Sequence, residues 1–173
     1  LTPNSKLIIK NVICNKTRIG FLNILKDKMN ANIKVKNIKN VSGEPVGTII
    51  VKSSSLKSII CPRELVPSLI DEFCILFVVA ALTKGLSKFT GISELRHKES
   101  DRIKNMEIGF KKIGVKTKST YDSLQIFGNP NIKIKKILNI FSKDDHRIAM
   151  SWAILGLLIG QKVKIHNFET VNT

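Results

Sequence analysis

The sequence predicts a mixed α/β (α+β) fold, and three observations carry that prediction. Apolar residues recur at helical spacing in some segments and alternate with lysine in others. Four times an apolar helix pattern ends in Gly or Asn and a lysine-studded strand pattern follows within a few residues, which points to a repeated supersecondary unit. The spacings between these junctions are unequal, so the repeat is not a strict solenoid. Finally, 173 residues with 43% hydrophobic content and a mean hydropathy of +0.06 suffice for one well-buried domain.

In chain order, residues 7–13 read as a strand. Residues 17–29 read as a helix with Ile19, Leu22 and Leu25 on one face, Thr17 near its cap and Asn30 at its end. Ile33 and Val35 alternate with lysines as a half-buried strand does, and a turn at Gly43-Glu44-Pro45 leads into a strand over 48–52. The next helix starts after Pro67-Ser68, runs through Ile70, Phe73, Phe77, Val78 and Leu82, and stops at Gly85. Being apolar nearly all round, it is expected in the core. A strand over 86–92 precedes a helix over 101–113, with Ile103, Met106, Phe110 and Ile113 at helical spacing and Gly114 as its stop. Strands over 115–120 and 123–127 follow. Residues 129–136, with Pro130 between two asparagines, read as a loop too short and too apolar to divide domains, so 1–173 is expected to be a single domain. A helix opened by Asp144-Asp145 runs from Ile148 to Leu158 and ends near Gly160, and a strand carrying Val163 and Ile165 closes the series.

Charge narrows the partners. Twenty-nine basic and 13 acidic residues leave +16, which favours anions. Lysine outnumbers arginine 24 to 5 and is scattered, and with one Trp, one Tyr and no arginine-rich run the pattern sets nucleic acid behind small anions. The longest apolar stretches, 74–82 and 152–160, fall short of the roughly 18 residues a membrane span needs, so a soluble chain without a membrane partner is expected. Cys14, Cys61 and Cys74 have no metal-type spacing and are odd in number, which fits reduced thiols in a cytoplasm. No signal-peptide pattern precedes them, and a start at Leu1 without Met reads as a chain cut from something longer.

With only five arginines, their positions are informative. Arg96 and Arg102 lie in the polar run Ser93-Glu94-Leu95-Arg96-His97-Lys98-Glu99-Ser100-Asp101-Arg102, and Arg147 in Asp144-Asp145-His146-Arg147. Both runs sit at helix starts, where free N–H groups and an arginine fork together suit a carboxylate or phosphate. Each also has a plainer reading. Glu99 and Arg102 at i,i+3 fit a surface pair worth about a few tenths of a kcal/mol, Asp144 and Asp145 fit a helix cap, and Asp71 fits a first-turn acid of its own helix. His97 and His166 lack partners at metal or triad spacing. There is no Gly-rich phosphate loop, GxSxG or CxxC.

Taken in order, these residues resemble the 5-enolpyruvylshikimate-3-phosphate synthase family, the 3-phosphoshikimate 1-carboxyvinyltransferases. Glu94-Leu95-Arg96-His97-Lys98-Glu99-Ser100-Asp101-Arg102 is similar to E-L-R-V-K-E-S-D-R, and Asp145-His146-Arg147-Ile148-Ala149-Met150 to D-H-R-I/M-A-M. Asn15-Lys16-Thr17-Arg18-Ile19-Gly20 resembles N-P-T-R-T-G, and Ser42-Gly43-Glu44-Pro45-Val46 with Ser53-Ser54-Ser55-Leu56-Lys57 resembles G-G-E-P-V and S-S-x-L-K. Pro67-Ser68-Leu69-Ile70-Asp71-Glu72 resembles P-S-M-I-D-E of the bacterial class II branch. Lys16, Ile19 and His97 depart from the pattern at positions without an assigned chemical role.

The resemblance implies an incomplete enolpyruvyl transferase fold of β-α-β-α-β-β units, most of the C-terminal half of a two-domain enzyme; a monomer is the default expectation for the intact protein, in the cytoplasm that the cysteines suggest. Its partners would be the N-terminal domain of the same enzyme, phosphoenolpyruvate and shikimate 3-phosphate, with no metal or organic cofactor. By motif match Asp71 takes the hydroxyl proton and Glu99 moves the proton at C3. Lys98 is a positive contact, Arg102 and Arg147 hold the carboxylate and phosphate of phosphoenolpyruvate, and His146 lies beside them. The N-terminal domain's Lys, Arg and Ser-rich loop, and a short tail past Thr173, have no counterpart here, so the 173 residues alone are expected to be inactive. Two rival readings are enolpyruvyl transfer to UDP-N-acetylglucosamine, which the K-E-S-D-R and D-H-R-I-A-M strings argue against, and a non-catalytic phosphate- or polyanion-binding module, motivated by the +16 charge.

Overall fold

Isoleucine and valine alternating with lysine build the first sheet. In the computed structural model, which describes residues 1–134 and 136–172, β1 (Lys6–Ile13), β2 (Asn32–Val41) and β3 (Glu44–Lys52) lie antiparallel in the order β1-β3-β2. Ile33 and Ile49 face the core, while Lys34 and Lys36 are exposed. The β2–β3 turn is Ser42-Gly43, both at positive φ (51° and 86°), as a two-residue hairpin turn requires. It therefore falls earlier than expected, and Pro45 belongs to β3, opposite Asn40.

The helix expected over 17–29 is shorter. The Asn15 side chain accepts from the Thr17 N–H (3.1 Å) and hydroxyl (3.0 Å), so Thr17 lies in the turn before the helix rather than at its cap. The helix then runs as α1 (Gly20–Asn23) and widens into a π turn over Ile24–Lys28. The Met29 N–H reaches the Ile24 carbonyl at 3.1 Å, and both side chains are fully buried.

A second sheet repeats the first. The elements α2 (Phe73–Ala81), β4 (Gly85–Thr90), α3 (Arg102–Lys112), β5 (Lys116–Ser119) and β6 (Ser123–Gly128) follow in order, with the sheet antiparallel as β4-β6-β5. An isolated parallel bridge between Ile60 and Lys88 stands in for a strand on the other edge of β4. Counting that bridge, residues 60–128 run bridge, helix, strand, helix, strand, strand. The β1-α1-β2-β3 set has the topology of the last four of these. β7 (Leu138–Phe141), α4 (His146–Ile159) and β8 (Val163–His166), with β7 parallel to β8, have that of the first three.

The repeat expected from sequence is therefore present, and it accounts for the unequal spacing. Helix-end residues 85 and 114 lie close because they share one unit, whereas 30 to 85 and 114 to 160 each span a hairpin. All four helix ends carry a residue in the left-handed region: Asn30 (φ 64°), Gly85 (113°), Gly114 (73°) and Gly160 (63°).

The helices pack inside the sheets. α2 is buried along its length apart from Ile75, and Phe73, Phe77 and Phe89 meet with ring centroids 5.0 to 6.1 Å apart. α3 and α4 join through Phe110 and Trp152 (5.4 Å), with Gly109 essential to the fit because a Cβ there would lie 2.0 Å from the indole. α2 begins at Phe73 rather than just after Pro67-Ser68, because Pro67–Leu69 closes a 3₁₀ turn that carries Leu69 into the core. Consequently Asp71 precedes the helix and is not its first-turn acid. β7 was not expected. Its buried Leu138 and Ile140 alternate with exposed Asn139 and Phe141, and the apolar Phe141 hides the alternation. In the expected loop 129–136, Lys135 lies outside the described residues, and the others belong to no helix or strand, with β6 ending at Gly128 before them. The three cysteines are buried and free, and no helix is long and apolar enough to cross a membrane among the described residues.

Candidate active site

Two helices open on aspartates that use their carboxylates as caps. Asp101 accepts the Lys104 N–H at 2.9 Å at the start of α3. Asp145 accepts the N–H groups of Arg147 (3.0 Å) and Ile148 (3.4 Å) at the start of α4. Asp145 is fully buried, and its second oxygen accepts from Arg102 Nε (2.8 Å) and the Ser100 hydroxyl (3.2 Å). A carboxylate removed from water needs such compensation for its lone pairs.

Arg102 joins the two helix starts. Only 1% exposed, it donates Nε to Asp145 and Nη2 to Glu99 (2.6 Å), while Nη1 has no hydrogen-bond partner and stands 4.0 Å from Asp71 Oδ1. Burial opposes its charge, but the hydrogen bond to Asp145 and the charges of Asp145 and Glu99 outweigh that and hold the guanidinium above its ordinary value. From α4, Arg147 donates Nη1 to the Asp71 carbonyl (2.9 Å) and pairs Nη2 with the Asp71 carboxylate (3.2 Å). Asp71, Glu99, Arg102, Asp145 and Arg147 thus form one network across three helix starts.

Around it, Cys74 lies in the first turn of α2, where burial pushes its thiol up to about 12 and keeps it neutral. Glu72 is raised above the ordinary carboxylate range, first by burial and next by Asp71, against the opposing pull of Arg147. Beside it a cavity of about 140 Å³ is lined by Asp71, Glu72, Ile75, Arg147, Met150 and Ile154 among others. Larger hollows, such as the groove of about 790 Å³ along α4 and β8, contain none of the network residues.

Of the six residues singled out from sequence, the structure brings Asp71, Glu99, Arg102 and Arg147 together. Lys98 turns instead onto Glu94, four residues earlier, and forms an ion pair there. His146 opens α4, half-buried. The Glu99–Arg102 pair forms as the i,i+3 spacing suggested, but it is no ordinary surface pair because its arginine is buried. Sequence reasoning saw Asp145 as a helix opener and missed it as the hub. The signal available was an aspartate at one helix start and an arginine at another, which only the tertiary fold brings into contact. Among the described residues no group of His, Cys, Asp and Glu is placed to hold a metal ion. The network presents two arginine forks, a group that suits anions, and two partly exposed carboxylates, a group that suits proton transfer.

The family model described as EPSP synthase (3-phosphoshikimate 1-carboxyvinyltransferase) matches residues 1–173. A 3-phosphoshikimate 1-carboxyvinyltransferase of Carboxydothermus hydrogenoformans is 49% identical over 99% of this chain, and one of Petrotoga mobilis is 45% identical, also over 99%. The chain spans 39% of the length of each. An EPSP synthase structure from Acinetobacter baumannii superposes on 99% of this chain and 40% of its own with a TM-score of 0.91 at 40% identity. The enolpyruvyl transferase NikO of Streptomyces tendae, 12% identical with a TM-score of 0.72, shares the fold. On the match over its full length and on these identities, the chain belongs to the EPSP synthase family.

Proposed function

We propose that these residues form most of the C-terminal half of a two-domain enzyme that transfers the enolpyruvyl group of phosphoenolpyruvate to the 5-hydroxyl of shikimate 3-phosphate and releases phosphate. The observation that carries this reading is the convergence of the Arg102 and Arg147 forks on Asp71, with Arg102 Nη1 still lacking a hydrogen-bond partner.

In the reaction the 5-hydroxyl oxygen adds to C2 of phosphoenolpyruvate while C3 gains a proton. The tetrahedral intermediate then loses phosphate as C3 gives a proton up. Arg102 and Arg147 suit the carboxylate and phosphate of the donor, since guanidinium forks bind such groups bidentately. Arg147 is at present paired with Asp71. An arriving anion that takes this arginine frees the Asp71 carboxylate beside it, and Asp71 accepts the hydroxyl proton. Glu99, 46% exposed and held on Arg102, gives the C3 proton and takes it back in this reading. Lys98 leaves Glu94 to meet substrate, and His146 lies beside Arg147 at the α4 start. The missing half supplies the remaining contacts to the shikimate phosphate, and the intact enzyme is a cytoplasmic monomer.

The test is phosphate release from phosphoenolpyruvate by protein expressed from the gene read outward past Leu1 and Thr173. Release with shikimate 3-phosphate and not with UDP-N-acetylglucosamine is the expected result. Release with neither acceptor, together with salt-sensitive binding of any polyanion, would replace this reading with that of an anion-binding module.

A further inference from the structure

The loop that carries Lys98 and Glu99 has little core of its own, since among residues 91–101 only Ile92 and Leu95 are buried. What fixes it is the tip of the β5–β6 hairpin, residues 120–123. Asp122 accepts the backbone N–H groups of Gly91 and Ser93, each at 3.1 Å, on its two carboxylate oxygens, and its carbonyl takes the Ile92 N–H at 3.2 Å. Arg96 commits all three guanidinium nitrogens: Nε to the Tyr121 carbonyl (2.8 Å), Nη2 to the Thr120 carbonyl (2.6 Å) and Nη1 to both oxygens of Asp101 (2.8 and 3.1 Å). His97 Nε2 meets the Tyr121 hydroxyl at 2.8 Å. The tip itself is closed by Thr120 N–H to the Ser123 carbonyl (3.1 Å) and by a contact between the two hydroxyls (2.7 Å).

The entrance of the loop is therefore tied down by Asp122, its middle by Arg96 and its exit by Asp101, the cap of α3. Lys98 and Glu99 lie between the last two ties. We propose that Arg96 and Asp122 are positioning residues, which use the hairpin tip as a template to hold Glu99 on Arg102 and Lys98 at the rim of the site. This rests on the reading of that site as an enolpyruvyl transfer centre. The Asp122 carboxyl is held below its usual range, chiefly by the Ser93 N–H, which favours the charged form the template uses. Displacing a reacting group by about 1 Å can cost on the order of 100-fold in rate, so a loop with two buried side chains needs this scaffold.

Steady-state kinetics on the protein expressed from the extended gene, combined with amide hydrogen exchange, test the proposal. Arg96→Lys keeps the charge beside Asp101 but cannot bridge both hairpin carbonyls. It should lower kcat about 10- to 100-fold and speed exchange about tenfold at the hydrogen-bonded loop amides of Ile92, Ser93 and Leu95, while Met106 and Phe110 in α3 keep their protection. Asp122→Asn, which retains one acceptor, should lose less than Asp122→Ala. If the wild type turns over and the variants keep its kcat, the proposal falls and the functional reading stands. If exchange rises equally in the loop and in α3, the residues only stabilise the fold and the proposal again falls. If the wild type itself does not turn over, the functional reading fails and the proposal falls with it.

Discussion

The starts of α3 and α4 are chemically alike and physically different. Each opens on an aspartate that caps the first turn and binds an arginine. At α3, Asp101 is 30% exposed and Arg96 16%. At α4, Asp145 is fully buried and its arginine, Arg102, is 1% exposed. Asp101 serves one helix and its loop. Asp145, withdrawn from water, gathers four donors, and two of them, from Ser100 and Arg102, come from the α3 side. Burial thus converts a cap into the joint that sets the two helix starts, and both arginines of the site, in one frame.

The largest effect should appear where the α4 start touches the chemistry. Arg147, held by its N–H to Asp145, reaches Asp71. In the intact enzyme Asp71→Ala should lower turnover by about 10²- to 10⁴-fold, as loss of a general base does, with a smaller change in substrate binding. Asp101→Ala should leave far more of the rate. Equal losses of turnover and binding in Asp71→Ala would remove its role as base. The 173-residue chain by itself should release no phosphate, and measured turnover would overturn the expectation that the other half is needed.

Next in size is stability. Asp145→Ala leaves Arg102 buried without its main partner, a change that costs roughly 3–5 kcal/mol. At this chain length that lowers the melting temperature by roughly 6–20 °C. The double variant Asp145→Leu, Arg102→Met removes both charges and should recover a good part of the loss, since apolar replacement of a whole buried pair is often neutral. Asp101→Ala should cost about 1 kcal/mol, the ordinary value of a cap. Thermal unfolding of the three variants compares them directly, and similar losses in Asp145→Ala and Asp101→Ala would mean that burial makes no difference between the two caps.

What the sequence could tell follows the same division between local and tertiary effects. The helix stops at Asn30, Gly85, Gly114 and Gly160 were legible because a left-handed residue is a local requirement. Asp145 as opener of α4 was legible for the same reason. The burial of α2 could be read from its unbroken apolar composition. The π turn after α1 could not, because it answers to the packing of Ile24 and Met29 against the core. Nor could β7, whose exposed Phe141 obscures the period. At the site, Asp71, Glu99, Arg102 and Arg147 came from motif resemblance, whereas composition and spacing favoured a surface pair, a helix cap and a first-turn acid. The hub at Asp145 and the ties from Arg96 and Asp122 reach residues 24 to 45 positions apart, beside Asp145's own cap bonds and the short Arg96–Asp101 link, and no local pattern announces these long-range contacts.

A third helix start supplies the smallest and most discriminating prediction. Glu72 stands at the N-cap of α2, yet its side chain accepts no bond from the first turn. Its carboxyl faces the cavity with Ile75, Met150 and Ile154, while Asp71 repels it and Arg147 attracts it. Burial and Asp71 raise its pKa above the ordinary 4.5 in the folded protein. From 4.5 up to that raised value the folded state binds more protons than the unfolded state, so this group lowers stability as pH rises through the window. Glu72→Gln should therefore flatten the pH dependence of the urea midpoint, stabilise the protein slightly at neutral pH and leave it nearly unchanged below the ordinary value. Loss of stability at neutral pH would show instead that the carboxylate accepts a bond, and α2 would then open on a working cap like Asp101.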